Sequence, residues 1–560
     1  MPEAAPAAGP LDEQLAELNR RRFEAVVARF PVLGTLLGDT RYDDRLADNS
    51  ADAVEQDIAD ARRYLSELER IDPADLSPYW QVERELAALG TRRQLFDDAA
   101  HCAWERRASA TDELGDGIFI LLARESRPPA ERLAAIAGRL EAAPQMLLEH
   151  RTRLRGRPVR LWLELELESA RSMPPLFDEV VATARGALGE GQTETARIAR
   201  AATAASAAVD DYVDWLDQQL ERGDDSWPMG PELYDELIGL RAFDGLTADD
   251  ILEIGERQLA DSQTARRQVA SEIDGGAPVE AVIDRVKSDH PADFDSALLV
   301  YRRAMDEARE FVVEHQLSSL PEGESLAVIA TPEYLRSSLP FAAYFAPQMF
   351  APELNGVYVV TPSVDGDPRA LREHNHASIY NTSIHEAYPG HHQQLSVACR
   401  HPSLVRPLYD APEFVEGWAM YCEQMMREEG FDTAAPHRLM MHNDEVWRAC
   451  RIIADVRLHR AELSVAEAGD FLIQHTAFER PHAMAEVNRY TTQPTYALSY
   501  MLGKVLLLRL RADEQARLGS AFSLKEFHDS MLREGTLPIS FQRRLLVDRA
   551  AATPTGPRPA

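Results

Sequence analysis

Between Ser383 and Gln393 the chain reads Ser-Ile-His-Glu-Ala-Tyr-Pro-Gly-His-His-Gln. Zinc peptidases commonly carry HExxH on one helix, where two imidazoles a turn apart share an ion and the intervening Glu faces the metal-bound water. Here the residue four after His385 is Pro389. Proline lacks the N–H that would bond the residue 385 carbonyl, and its ring clashes with that carbonyl, so a helix running through must bulge or kink. Gly390 tolerates the backbone angles such a bulge requires. With Pro389-Gly390 taken as a two-residue insertion, His391 falls where the second histidine of HExxH would sit. His392 is the rival. It returns to the His385 face after seven residues, but at a rise of about 10 Å, too far for two bonds of about 2 Å to one ion. His391 is therefore preferred.

A third ligand is expected from Pro412–Gly430, which reads as a helix with Pro412 near its start and Gly430 at its stop. Phe414, Val415, Trp418, Met420 and Tyr421 make that helix look buried, and a carboxylate buried among them, Glu416, needs a partner such as a metal. Glu423, two turns on along the same face, is placed to orient a ligand by hydrogen bonding. The bland alternative is that His-Glu ends a helix and Pro-Gly-His-His is a loop.

HEAYPGHHQQ (385–394) followed by EGWAMYCE (416–423) resembles the signature of the domain-of-unknown-function 885 (DUF885) family, bacterial proteins similar to gluzincin metallopeptidases. The likeness extends to PVLGTLLGDTRYDDRL (31–46), NGVYVVTP (355–362), RACRIIADVRLH (448–459), RYTTQPTYALSYMLGK (489–504) and LREGTLPIS (532–540). The resemblance implies a large, mainly α, zincin-like architecture of gluzincin type. It also implies one zinc ion on His385, His391 and Glu416, with Glu386 as general base. Two features depart from it. Many members carry Pro-Gly-Gln where this chain has Pro494-Thr495-Tyr496, and many are secreted or lipid-anchored.

Three protein ligands leave a position for water. Zinc lowers the pKa of that water toward 7, and Glu386 takes its proton as it attacks a carbonyl. The oxyanion then needs a further donor. Tyr500, Tyr490, Arg489 and His459 are candidates. Tyr500 comes first because ALSYMLGK reads as a buried helix in which a phenol needs a partner, although a core tyrosine bonded to a backbone carbonyl fits as well. Asp455 and His459 share a helix face. Asp455 is a candidate to orient a ligand histidine, or else to pair with Arg451 or Arg448. Arg489 is a candidate clamp for a substrate carboxylate, which would suit a carboxypeptidase-like enzyme. Val357–Val360 reads as a strand that either pairs with an extended peptide or forms a structural hairpin.

The elements that must position these groups are chiefly helices. Amphipathic periodicity predicts helices over 11–30, 51–71, 79–106, 130–154 and 193–220, separated by breakers at 126–129, 156–158, 173–175 and 223–231. Two β-branched runs, 325–334 and 355–362, read as strands of a small sheet near the active site. The expected organisation is a helical region at 1–230, a connecting helical region at 231–317, a zinc-binding catalytic region at 318–550 and a flexible tail at 551–560. The first ten residues are expected to fray.

The chain has 560 residues, with 60 Lys+Arg against 92 Asp+Glu for a net charge of −32. That balance argues against nucleic acid and anionic membranes as partners. Four cysteines, no CxxC pair, no secretory signal and no long apolar run lead to a cytoplasmic expectation. The sequence thus predicts a zinc hydrolase acting on a peptide or small amide. The alternatives are a zinc hydrolase of another amide or ester, or a noncatalytic helical binding protein of the same fold. Oligomeric state is not legible.

Overall fold

Helices begin where side chains can satisfy their first N–H groups. Ser50 accepts from the Ala53 N–H at the start of the helix Ala51–Glu69, and Thr247 with Asp250 forms a reciprocal cap at Ala248–Ile273. Asn375 accepts from the Ser378 N–H at 2.9 Å and starts His376–Glu386, the helix that carries the first two site residues. The computed structural model describes residues 9–124, 127–331, 342–362, 368–476 and 478–552. Most of the expected frayed N-terminus and of the tail lies outside them.

The protein is mainly α-helical. The helix expected over 193–220 spans Thr193–Leu220, and that expected over 51–71 spans Ala51–Glu69. The one expected over 79–106 is shorter. Its α-helical part, Pro78–Leu95, passes into a π-helical turn, Phe96–His101, and stops where Cys102 adopts φ 50°. The break expected at 173–175 is absent. Pro174 and Pro175 lie inside the 29-residue helix Arg160–Leu188. Each proline there forgoes one backbone hydrogen bond. Packing of Ala170, Met173, Leu176 and Phe177 into a core shared with Thr193–Leu220 offsets that loss.

A three-stranded mixed sheet lies against the site. β1 (Glu324–Ala330) runs parallel to β3 (Leu354–Val360), and β2 (Ala342–Phe345) runs antiparallel to β3 on its other side. β2, a four-residue strand, was not expected. Val357–Val360 lies in the central strand with both edges paired, so the reading of that segment as an acceptor for an added peptide strand is corrected.

One apolar core, containing Val82, Tyr301, Tyr358, Trp418 and Met501, gathers residues from Leu15 near one end of the chain to Leu546 near the other. A second core is made only of residues between Ala108 and Leu216. Among the described residues no helix is long and apolar enough to cross a membrane.

Candidate metal centre

The helix His376–Glu386 ends at Glu386, and a new one, His391–Ala398, begins five residues later. The chain therefore breaks cleanly at Ala387–Gly390 where a bulged or kinked helix was expected. The Tyr388–Pro389 peptide is cis. Gly390 folds back over the last turn of the first helix, donating its N–H to the Ile384 carbonyl at 3.1 Å. A Cβ on Gly390 would lie 1.9 Å from the His385 carbonyl oxygen, so only glycine fits. This fold-back brings the two imidazoles edge to face, with centroids 4.8 Å apart.

The helix Pro412–Glu428 supplies the carboxylate. The Trp418 indole donates to the Pro389 carbonyl at 2.7 Å, and the Gln394 amide to the Phe414 carbonyl at 3.1 Å, fastening this helix to the break. Its other face meets Ser499–Leu518 with backbones touching. A Cβ on Gly417 would lie 2.5 Å from Gly503, and one on Gly503 would lie 1.9 Å from the Glu413 carbonyl oxygen. Fixed on both sides, the helix points Glu416 at the histidines.

His391 Nε2 lies 3.4 Å and His385 Nε2 3.8 Å from Glu416 Oε2. Donor atoms from all three residues lie within 4.8 Å of one another, so the group can hold a metal ion. Two donors about 2 Å from one ion at a tetrahedral angle stand about 3.3 Å apart, close to these spacings. His385 Nδ1 is held by Glu423 Oε1 at 2.7 Å, leaving Nε2 to face the site. Glu423 Oε2 in turn accepts from the Asn381 amide at 3.0 Å. Burial alone would lower the His385 pKa, but Glu416 and Glu423 outweigh it and raise the value to about 10. Glu416 is held well below the usual carboxylate range: burial opposes this, and the two histidines prevail. The position thus favours positive charge, which a metal ion supplies. His391 Nδ1 is buried without a partner.

Glu386 is half-buried and makes no hydrogen bond or ion pair with another described residue, so its carboxylate is free. Its charge adds to burial in raising the pKa values of Tyr301, Tyr344 and Tyr358, which sets it on the sheet side of the site. His392 faces away. Its Nε2 pairs with Glu324 Oε2 at 2.8 Å and its Nδ1 with the Tyr344 hydroxyl at 3.0 Å. It thus ties β1 and β2 to the break, and its ring packs where a Cβ on Gly356 would otherwise stand.

The other sequence candidates are dispersed. Tyr500 lies under the Arg451 guanidinium, 4.6 Å from ring centroid to Cζ, and edge-on to Tyr496 at 6.0 Å. Tyr490 is buried, accepting from Arg451 Nε at 3.2 Å and donating to Glu486 at 2.8 Å. Arg489 is committed to Glu486 at 2.9 Å. His459 bonds the Tyr490 carbonyl at 3.0 Å and stacks on Tyr234, a structural placement. Asp455 touches neither a ligand histidine nor Arg448 or Arg451. Its Oδ1 accepts from the Tyr234 hydroxyl at 2.6 Å and the Thr495 N–H at 3.0 Å. That bond holds Thr495 at φ 66°, a conformation costly for a β-branched residue. Sequence reasoning passed over Tyr496, whose hydroxyl donates to Glu416 Oε1 at 3.1 Å. The only signal was its position in the segment where the chain departs from its relatives.

A family model described as a bacterial protein of unknown function (DUF885) matches residues 31–546. The chain belongs to the DUF885 family. Two solved structures are similar to this DUF885 protein. One, from Shewanella oneidensis, is described as a candidate lipoprotein of unknown function; it is 23% identical, with a TM-score of 0.78 over 95% of this chain and 99% of that one. The other, a candidate lipoprotein from Colwellia psychrerythraea, is 17% identical, with a TM-score of 0.84 over 97% and 99%. At these identities the likeness shows the fold. No curated protein matches the chain. The cytoplasmic expectation is corrected by these comparisons, since both similar structures are described as lipoproteins, which are envelope proteins. Sparse cysteines and an acidic surface do not distinguish the two locations.

Proposed function

We propose that this DUF885 protein is a zinc-dependent hydrolase of gluzincin type that cleaves short peptides. The observation that carries the reading is the convergence of His385, His391 and Glu416, with a free Glu386 carboxylate on the residue next to the first ligand. A bound ion supplies Lewis acidity, lowering the pKa of water and polarising a carbonyl. The chain's own residues supply the rest. Glu386 takes up the proton released as water attacks and returns it to the leaving amine. Glu423 holds the His385 tautomer, and Tyr496 steadies Glu416 through its hydroxyl. In this reading the oxyanion donor is Tyr500, which stands edge-on to Tyr496 and under Arg451.

The test is metal content and peptide-library hydrolysis for wild type, His385→Ala, Glu416→Ala and Glu386→Gln. The expected result is about one zinc per wild-type chain, in line with a single three-ligand site, lost in the first two variants. Glu386→Gln keeps its metal and loses turnover by about 10²-fold or more. Full activity in Glu386→Gln removes the general-base assignment. Absence of metal from wild type supplied with zinc removes the reading as a whole.

A further inference from the structure

A cavity of about 420 Å³ shares one residue with the surroundings of the metal centre. Tyr496 is that residue: it lines the cavity, and its hydroxyl donates to Glu416. Arg241 lines the same cavity, although its side chain is only 2% exposed. Its guanidinium makes no hydrogen bond to a described residue, and Nε and Nη2 are buried without an acceptor. The nearest carboxylate oxygens are Asp410 Oδ2, 3.5 Å from Nη1, and Glu413 Oε2, 3.8 Å from Nη2, both too far for a good hydrogen bond. Glu413 is a poor counter-charge. Burial raises its pKa to about 7 against the pull of Arg241, and neither of its oxygens has a donor.

A buried cation with unused donors is costly, and the two carboxylates that pair with this one stand too far off to accept good hydrogen bonds from it. Arg93 brings a second guanidinium to the cavity, its Nη2 3.4 Å from Asp410 Oδ2. Asp410 is 59% exposed, a solvent-screened partner that an incoming anion can replace. Asp97 and Asp98 also line the cavity; burial raises the Asp98 pKa to about 6, while Asp97 is 47% exposed and, 4.0 Å from Arg93 Nε, is like Asp410 a solvent-screened partner. The planar fork of a guanidinium matches a carboxylate. Glu413, beside Arg241, and Glu416 lie one turn apart on Pro412–Glu428, a rise of about 4.5 Å.

We propose that this cavity is a carboxylate-recognition subsite, in which Arg241, with Arg93 beside it, binds a carboxylate of the peptide substrate outside the cleaved bond. The role foreseen for Arg489 thus passes to Arg241. The reference to a cleaved bond rests on the hydrolase reading above; carboxylate binding itself does not.

The test is calorimetric titration of the full chain carrying Glu386→Gln, which prevents turnover. Three probes are used: acetyl-Ala-Ala-Ala with a free carboxylate, its C-terminal amide, and acetyl-Ala-Glu-Ala amide. The free acid is expected to bind about 10- to 100-fold more tightly than its amide, as a hydrogen bond to a charged group allows. Adding Arg241→Gln abolishes that difference without changing the affinity for the amide, and Arg241→Lys restores part of it. Tight binding of the internal-glutamate probe assigns the carboxylate to a side chain, and weak binding assigns it to the C-terminus. Equal binding of acid and amide, or binding of neither, overturns the proposal. The same comparison on protein stripped of metal needs no change at Arg241: a preference that persists belongs to the guanidinium, and one that vanishes belongs to the ion and overturns the proposal. Failure of hydrolysis in the separate library assay removes the peptidase reading and leaves this result standing.

Discussion

Glu423 governs the centre from behind. By accepting from His385 Nδ1 at 2.7 Å it fixes both the tautomer and the ring plane of a candidate ligand it does not join. Glu423→Ala is expected to weaken metal binding by about 10- to 100-fold with the helices intact, measured by competition with a chelator of known affinity. Unchanged affinity would show that His385 is oriented by packing alone. Asp455 offers a test by pH. Burial raises its carboxyl from 3.8 to about 7 in the folded protein, against the Tyr234 and Thr495 hydrogen bonds. A folded pKa above the unfolded one stabilises fully below about 4, and that stability is lost as pH rises to about 7. Asparagine keeps an acceptor and never ionises. Asp455→Asn should therefore gain in Tm relative to wild type between pH 4 and pH 8, and a constant gap would count against the assignment. The meeting of the two imidazoles and the carboxylate was legible because their types and spacing suit a metal ion. The fates of His392, Arg489 and Asp455 were not. Each is decided by a partner from another segment, such as Glu324 for His392, and periodicity says nothing about such meetings.

At the scale of elements, helix starts and faces were legible because capping side chains and apolar spacing are local. The four-residue strand Ala342–Phe345 was too short to show a pattern, and Pro174-Pro175 read as a stop because burial of the surrounding helix is invisible in the local sequence. The crossing of Pro412–Glu428 with Ser499–Leu518 is the contact on which the placement of Glu416 depends. Gly503→Ala puts a methyl into the Glu413 carbonyl, a backbone atom that cannot rotate away. Overpacking of this kind costs about 1–3 kcal/mol. The expected outcome is a lower Tm together with weaker metal binding, since Glu416 lies on the displaced turn. A variant with the wild-type Tm would show that the crossing is looser than the glycines suggest.

For the molecule as a whole, the mainly helical class and the small sheet beside the site could be read from periodicity and β-branched runs. How the segments share cores could not, because that depends on pairings hundreds of residues apart. The core that surrounds the candidate metal centre draws on Leu15, Val82, Trp418 and Leu546 alike. The second core is assembled from the single stretch Ala108–Leu216. The two therefore differ in when they can exist during synthesis. A nascent chain can close the second core as soon as that stretch has emerged. The first core is complete only with the helix Ile539–Ala552, and long-range closure of that kind is slow and prone to aggregation. A chain cut short before Ile539–Ala552 would accordingly carry all the residues of the site without the full core that encloses them.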